Sequence, residues 1–117
     1  MKLVYIILRP NRYYKTKEAL VKNNFFSLSS KDVLGRGKSS VDYVTKNGDK
    51  LLKYNKRPFV SKKMMEIFCR DEDVDTLIDI VKSINQTGNS GDGKIFVVDV
   101  EDGTRIRTGE SGVNSLM

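Results

Sequence analysis

The chain has 117 residues, 38% of them hydrophobic and 31% charged, with a net charge of +6, one cysteine and no histidine. That length supports one domain with a modest core. Lone Cys69 excludes a disulfide within the chain and a cysteine-based metal site, and the lack of histidine removes the commonest metal ligand and general base. No apolar run reaches membrane-spanning length, and Leu3–Leu8 is too short for a signal sequence. A cytoplasmic protein in a reducing compartment is expected.

The first predicted element is a strand over Lys2–Arg9. Its Leu-Val-Tyr-Ile-Ile-Leu run is apolar on both alternating faces, the mark of a strand buried on both sides. Pro10 stops it, and Asn11 is placed to cap a helix to about Asn24, with Tyr13, Ala19 and Leu20 available for burial. Phe25–Leu34 carries enough β-formers for a second strand, which runs into Gly35-Arg36-Gly37.

From Lys38 to Ser61 no period is sustained, and so long a connection inside a small domain is functional or disordered when unbound. The positive charge concentrates here. Between Arg36 and Lys63 nine cations face only Asp42 and Asp49, a net +7, while the rest of the chain sums to −1. Such a basic loop on a near-neutral body points to an acidic partner, nucleic acid or anionic ligands, with a merely solvated loop as the plainer alternative.

Lys63–Cys69 reads as the next strand. Asp71-Glu72-Asp73 supplies a helix N-cap and an acidic first turn that complements the helix dipole. Val74, Leu77, Ile78, Val81 and Ile84 form the apolar stripe of a helix to about Gln86, closed by Gly88 as the residue past its C-cap. A strand over Lys94–Val100 follows, then a short edge piece at Thr104–Arg107.

Chemistry concentrates between Gly88 and Glu110. Gly91 and Gly93 let the backbone turn tightly and approach a ligand with N–H groups pointing inward. Lys94 adds a point charge, and Arg105 and Arg107 add forked donors suited to phosphate oxygens, on one side of a strand by their two-residue spacing. Together they read as a polyphosphate cradle. Gly88-(x)4-Gly93-Lys94 falls short of a P-loop, because Ile95 replaces the magnesium-binding hydroxyl and a strand follows instead of a helix. The plainer reading is a glycine-rich helix-to-strand connection with exposed cations.

The order β-α-β-β-α-β predicts an α+β, ferredoxin-like domain with two helices on one face of an antiparallel sheet. The double-sided apolar pattern of the first strand, repeated in Ile95/Val97 and Phe96/Val98/Val100, requires a cover for the other face. Copies of the chain are the simplest cover, so an oligomer is inferred.

Several blocks carry a close resemblance to the PII signal-transduction family over essentially the full length. They are Ile7-(x)2-Pro10, Glu18-Ala19-Leu20, Val33-Leu34-Gly35-Arg36-Gly37-Lys38, Thr87-Gly88, Gly91-Asp92-Gly93-Lys94-Ile95-Phe96-Val97 and Arg105-Ile106-Arg107-Thr108-Gly109-Glu110. The Gly-Arg-Gly-Lys-Ser-Ser-Val-Asp-Tyr opening of the long loop is similar to the nif-type subgroup, from nitrogen-fixation clusters of archaea and anaerobic bacteria.

The resemblance implies one PII-like domain over 1–117, a flexible T-loop at about 38–61, a C-terminal tail at about 108–117, and a trimer with ATP or ADP in the clefts between subunits. The nucleotide residues it implies are Gly91, Asp92, Gly93, Lys94, Arg105, Arg107 and Lys38 at the phosphates, Ser29, Glu66, Phe68 and Ile7 around the adenosine, and the backbone at Gly35 and Gly37. It places 2-oxoglutarate at the root of the T-loop with Ser39, Lys62 and Gly91. Ser39 stands where most members have a glutamine that helps hold Mg²⁺ and 2-oxoglutarate, so no protein metal ligand is expected beyond Ser39 itself, and Mg²⁺ arrives with ATP. Tyr54 lies near the tyrosine modified in enterobacterial-type members, but in a different setting, and uridylylation is not expected.

The function implied is a non-enzymatic sensor whose T-loop, through Tyr43, Leu51, Leu52, Tyr54 and Phe59, controls a target protein, nitrogenase in the nif-type subgroup. An ammonium transporter or glutamine synthetase is the alternative target. The partners expected are further copies in a homotrimer, or a second PII-like chain in a mixed oligomer, with no direct membrane insertion. A nucleotide-hydrolysing enzyme is the rival from another class, with only Glu66, Asp92 or Glu110 as bases. Nucleic-acid binding is not expected, because the basic loop has few aromatics beyond Tyr43, Tyr54 and Phe59.

Overall fold

Strand β1 (Lys2–Leu8) lies inside a four-stranded antiparallel sheet, flanked by β5 (Val60–Cys69) on one side and β6 (Lys94–Asp99) on the other. Strand β2 (Leu28–Gly35) pairs with the outer edge of β5, giving the order β2-β5-β1-β6. This computed structural model describes residues 1–36, 43–44, 50–51 and 59–116, with the backbone alone at Tyr43–Val44 and Lys50–Leu51. Those two pieces, β3 and β4, form a small antiparallel ladder between β2 and β5. Helices α1 (Tyr13–Lys22) and α2 (Val74–Asn85) complete a ferredoxin-like α+β domain. No helix among the described residues is long and apolar enough to cross a membrane.

Strand periodicity sends Val4, Ile6 and Leu8 of β1, with Met65, Ile67 and Cys69 of β5, to the helix side, where each is at most 4% exposed. Leu20, Leu77, Val81 and Phe25 close over them. Each such side chain contributes about 1.5–3 kcal/mol by leaving water. Burial also pushes the Cys69 thiol upward, the opposite of a reactive cysteine. Two polar groups share this core: Asn85 Nδ2 donates to Thr16 Oγ1 at 3.0 Å, linking α2 to α1.

The opposite face carries Leu3, Tyr5, Ile7, Met64 and Phe68 half-buried, beside Phe96 at 50% and Val98 at 45% exposure. The helices and the core lie on the other side of the sheet. The double-sided apolar pattern of β1 is thus real, and a single chain satisfies only half of it.

Several boundaries differ from expectation. Asn11 does not cap α1: Pro10–Arg12 forms a tight helical turn first, and the helix begins without a side-chain cap. Asp71–Asp73 likewise forms a tight turn, and Asp71 instead pairs with the N-terminal ammonium at 2.6 Å. Helix α2 ends at Asn85 with an extended Gln86, so Gly88 belongs to the following loop. Phe25 leaves the second strand for the core, and β5 starts at Val60. The edge strand expected at Thr104–Arg107 does not form. A lone bridge joins Thr104 to Ser111, and the chain between them turns, with the Gly109 N–H donating to the Arg105 carbonyl at 2.8 Å.

Candidate functional site

Residues 87–93 connect the end of α2 to the start of β6, and one carboxylate organises them. Asp92 Oδ2 accepts from the Thr87 and Gly88 N–H groups at 2.7 and 2.9 Å, and Oδ1 accepts from the Thr87 hydroxyl at 2.5 Å. Arg9, just beyond β1, donates to the same Oδ1 at 2.7 Å and to the Ser90 carbonyl at 2.9 Å. The Thr87 hydroxyl and N–H, then Arg9 and Gly88, hold the Asp92 carboxyl well below the usual carboxylate range. Asp92 enters the site as the brace of the loop.

Glycine is required where the loop meets β1. A Cβ on Gly93, whose φ is +109°, would stand 1.8 Å from the Ile7 carbonyl oxygen. At Gly91, with φ +97°, a Cβ would lie 3.2 Å from an Arg9 guanidinium nitrogen and 3.6 Å from Lys62 Nζ. Lys62, near the start of β5, donates to the Gly91 carbonyl at 2.9 Å. Two cations thus converge on a bare backbone corner. The sequence reading paired Lys62 with Gly91 but missed Arg9, whose only signal was a cation at the exit of β1, one residue before Pro10.

The register settles which of the other residues share a surface. Ile7 lies opposite Lys94 and Met64, and Glu66 lies opposite Tyr5 and Ser29. Directly opposed residues share a face, as do residues two apart, so Ile7, Ser29, Lys62, Glu66, Phe68 and Lys94 all project from the open face. Gly35 adjoins them: a Cβ added there would stand 3.1 Å from Lys62 Cγ. Gly37, Lys38, Ser39, Leu52 and Tyr54 lie outside the described residues. For Tyr43 and Leu51 only the paired backbone is described, and Phe59 is 65% exposed.

The single chain does not assemble the whole cradle. Lys94 opens β6, whereas the turn bearing Arg105 and Arg107 follows its far end, beyond Asp99, which pairs with Lys2. Five strand steps separate these ends, roughly 17 Å. Nor do the two arginines share an environment. Arg105 is half-buried, donating to Glu110 Oε1 at 3.3 Å and to the Asn114 carbonyl at 2.9 Å, while Arg107 is exposed on the turn. The expectation of two guanidinia on one side of a strand is corrected, because no strand forms there to impose the alternation.

Comparison with known proteins identifies the family. The family described as Nitrogen regulatory protein P-II matches residues 1–110. The Nitrogen fixation nifHD1 region GlnB-like protein 2 of Methanosarcina barkeri is 39% identical over 99% of this chain and 99% of its own. The corresponding nifHD region proteins of Methanothermobacter marburgensis and Methanobacterium ivanovii are 38% and 34% identical, covering 99% and 100% of this chain and 100% of each relative. With the family's pattern spanning nearly the whole chain and the fold and glycine loop in place, the chain belongs to the nitrogen regulatory protein P-II family.

Proposed function

We propose that this chain is a non-enzymatic regulator that binds ATP or ADP together with 2-oxoglutarate and acts through residues 38–61 on nitrogenase. The observation that carries the reading is the corner where Lys62 and Arg9 meet the carbonyls of Gly91 and Ser90. Both side chains carry positive charge, and both are held at the root of the long loop. A dicarboxylate entering there exchanges the carbonyl partners of Lys62 and of one Arg9 nitrogen for charged oxygens, a stronger hydrogen bond at each, while Arg9 keeps its ion pair with Asp92. The bare Gly91 leaves room for it.

The nucleotide reading rests on Lys94 and Gly93 at one end of β6 and on Arg105 and Arg107 beyond the other. The separation of these two groups within one chain supports a site shared between subunits of a trimer, one chain's glycine loop facing its neighbour's arginine turn. Mg²⁺ travelling with ATP supplies charge neutralisation at the phosphates. The protein's own part is to hold those phosphates with Lys94 and to keep the glycine loop braced through Asp92.

Binding without turnover is supported by the state of the three candidate bases. Asp92 is consumed by the loop, Glu66 pairs with Lys31 at 3.6 Å, and Glu110 pairs with Arg105. The choice of nitrogenase as target is supported by the names of the three relatives above, each described by a nitrogen-fixation nifHD or nifHD1 region. Calorimetry tests the core of the proposal: ATP is titrated first, then 2-oxoglutarate onto the Mg-ATP form. Both are expected to bind, and Lys62→Ala is expected to weaken 2-oxoglutarate roughly tenfold to a hundredfold while sparing ATP. Absence of heat for 2-oxoglutarate at millimolar concentration removes the effector from this proposal.

A further inference from the structure

Beyond the end of β6 the chain doubles back on itself. Residues 102–105 lie beside residues 110–112, joined by the bridge between Thr104 and Ser111 and by the Arg105 N–H donating to the Glu110 carbonyl at 2.8 Å. The Gly112 N–H donates to the Gly103 carbonyl at 3.0 Å and to Asp102 Oδ1 at 2.9 Å. A tight helical turn, Gly112–Leu116, follows and lies beside β5.

One side chain ties these pieces together. Arg105 gives one terminal nitrogen to the Glu110 carboxylate at 3.3 Å and the other to the Asn114 carbonyl at 2.9 Å, with only 20% of its side chain exposed. Its guanidinium therefore spans both the returning segment and the helical turn. These are the donors with which a guanidinium grips a phosphate. The two uses conflict. A polyphosphate carries more charge than one carboxylate and is the stronger partner, and Glu110 held against Arg105 faces it as a like charge.

We infer that residues 110–116 form a latch on Arg105 that nucleotide phosphates open. When ATP or ADP takes the guanidinium, the contacts to Glu110 and Asn114 break and the Gly112–Leu116 turn comes away from β5. The closed tail and the nucleotide oppose each other, and linkage makes the opposition reciprocal: the factor by which the closed tail weakens ATP is the factor by which ATP weakens closure. The inference rests on the reading of Arg105 as a phosphate contact and adds a moving element to that site.

The test follows amide hydrogen exchange over residues 110–116 of the intact protein, with ATP binding measured by calorimetry on the same preparation. Saturating ATP is expected to speed exchange there about tenfold, because two side-chain contacts are lost. Glu110→Gln weakens the latch, so it is expected to speed that exchange without nucleotide and to tighten ATP about threefold, the scale of a partly exposed ion pair. Glu101→Gln makes the same charge change at an exposed carboxylate ahead of the turn, and is expected to leave both readings nearly unchanged. The inference alone is overturned if ATP binds but exchange over 110–116 is unchanged or slower. It is overturned too if Glu110→Gln fails to tighten ATP, as a merely structural pair would, or if Glu101→Gln tightens it equally, which makes the effect one of net charge. If ATP does not bind, the nucleotide reading fails and the latch with it. Should Glu110→Gln fail to fold, exchange in the parent protein with and without ATP still decides the matter.

Discussion

The two ends of the sheet handle charge in opposite ways. At the glycine-loop end, Arg9 and Lys62 donate largely to backbone carbonyls, and one carboxylate, Asp92, ties the loop together. At the other end the cations are spent on carboxylates and on the tail: Lys2 on Asp99, the N-terminal ammonium on Asp71, and Arg105 on Glu110 and Asn114. A carbonyl partner can be exchanged for a stronger anionic one at little cost, whereas a formed ion pair must first be broken. Among the described residues Lys62 thus rests on a carbonyl alone and Arg9 on a carbonyl and Asp92, whereas Lys2 and the N-terminal ammonium at the far end are held by carboxylates.

The sharpest way to break that comparison is at the glycines. Gly93→Ala forces a Cβ against the Ile7 backbone and is expected to lower stability by on the order of 3 kcal/mol or more. Gly109→Ala at the far end meets nothing within 4 Å, so only its positive φ is strained, at about 1–2 kcal/mol. Urea denaturation measures both, and equal losses would show that the close approach to β1 is not what the loop depends on.

A second experiment joins the two ends across subunits. Lys94→Ala and Arg107→Ala are each expected to weaken ATP roughly tenfold to a hundredfold. When the two variant proteins are unfolded together and reassembled, some sites should regain full affinity, because a site needing Lys94 from one chain and Arg107 from its neighbour is intact wherever the complementary chains meet. No recovery in the mixture argues that each chain builds its own site.

The open sheet face gives the next contrast. Truncating Ile67 on the covered face to Ala is expected to cost about 2–5 kcal/mol at any protein concentration. Phe96→Asp on the open face is expected to leave the fold intact and reduce assembly, seen as a smaller particle in sedimentation equilibrium. If Phe96→Asp assembles as well as the parent protein, the apolar face is not the subunit contact.

Acid provides the smallest effect. Asp92 and Asp71 both have carboxyls lowered in the fold, the first chiefly by Thr87 and the second chiefly by the N-terminal ammonium. A depressed carboxyl contributes stability that is fully present above its unfolded value of 3.8 and is lost as pH falls through the folded one. Melting temperature is therefore expected to decline in acid, and Asp92→Asn should flatten that decline more than Asp71→Asn does. The reverse order would mean that the N-terminal pair, not the loop brace, governs acid sensitivity.

Much of this molecule was legible from local patterns. Alternation in Lys2–Leu8 announced a strand apolar on both faces, the spacing of Leu77 and Val81 announced the buried stripe of α2, and the glycines at 91 and 93 announced a backbone corner. These are properties of period and of missing side chains, which a chain carries wherever it goes. Cap signals misled, because Asn11 and Asp71 were read from position alone. Asp71 found a stronger partner in the N-terminal ammonium, brought beside it by the pairing of β1 with the end of β5.

Residue types and their order therefore determined the ferredoxin-like arrangement, the glycine loop and the surplus of cations. Only the tertiary structure decided that Arg9 braces Asp92 across 83 residues of chain, that Asn85 is buried with an unmatched oxygen, and that Lys94 and Arg107 stand at opposite ends of the sheet. The reason is physical: periodicity is set by the backbone of each segment, whereas partnership depends on which segments lie side by side, and that is fixed by packing of the whole sheet against its helices.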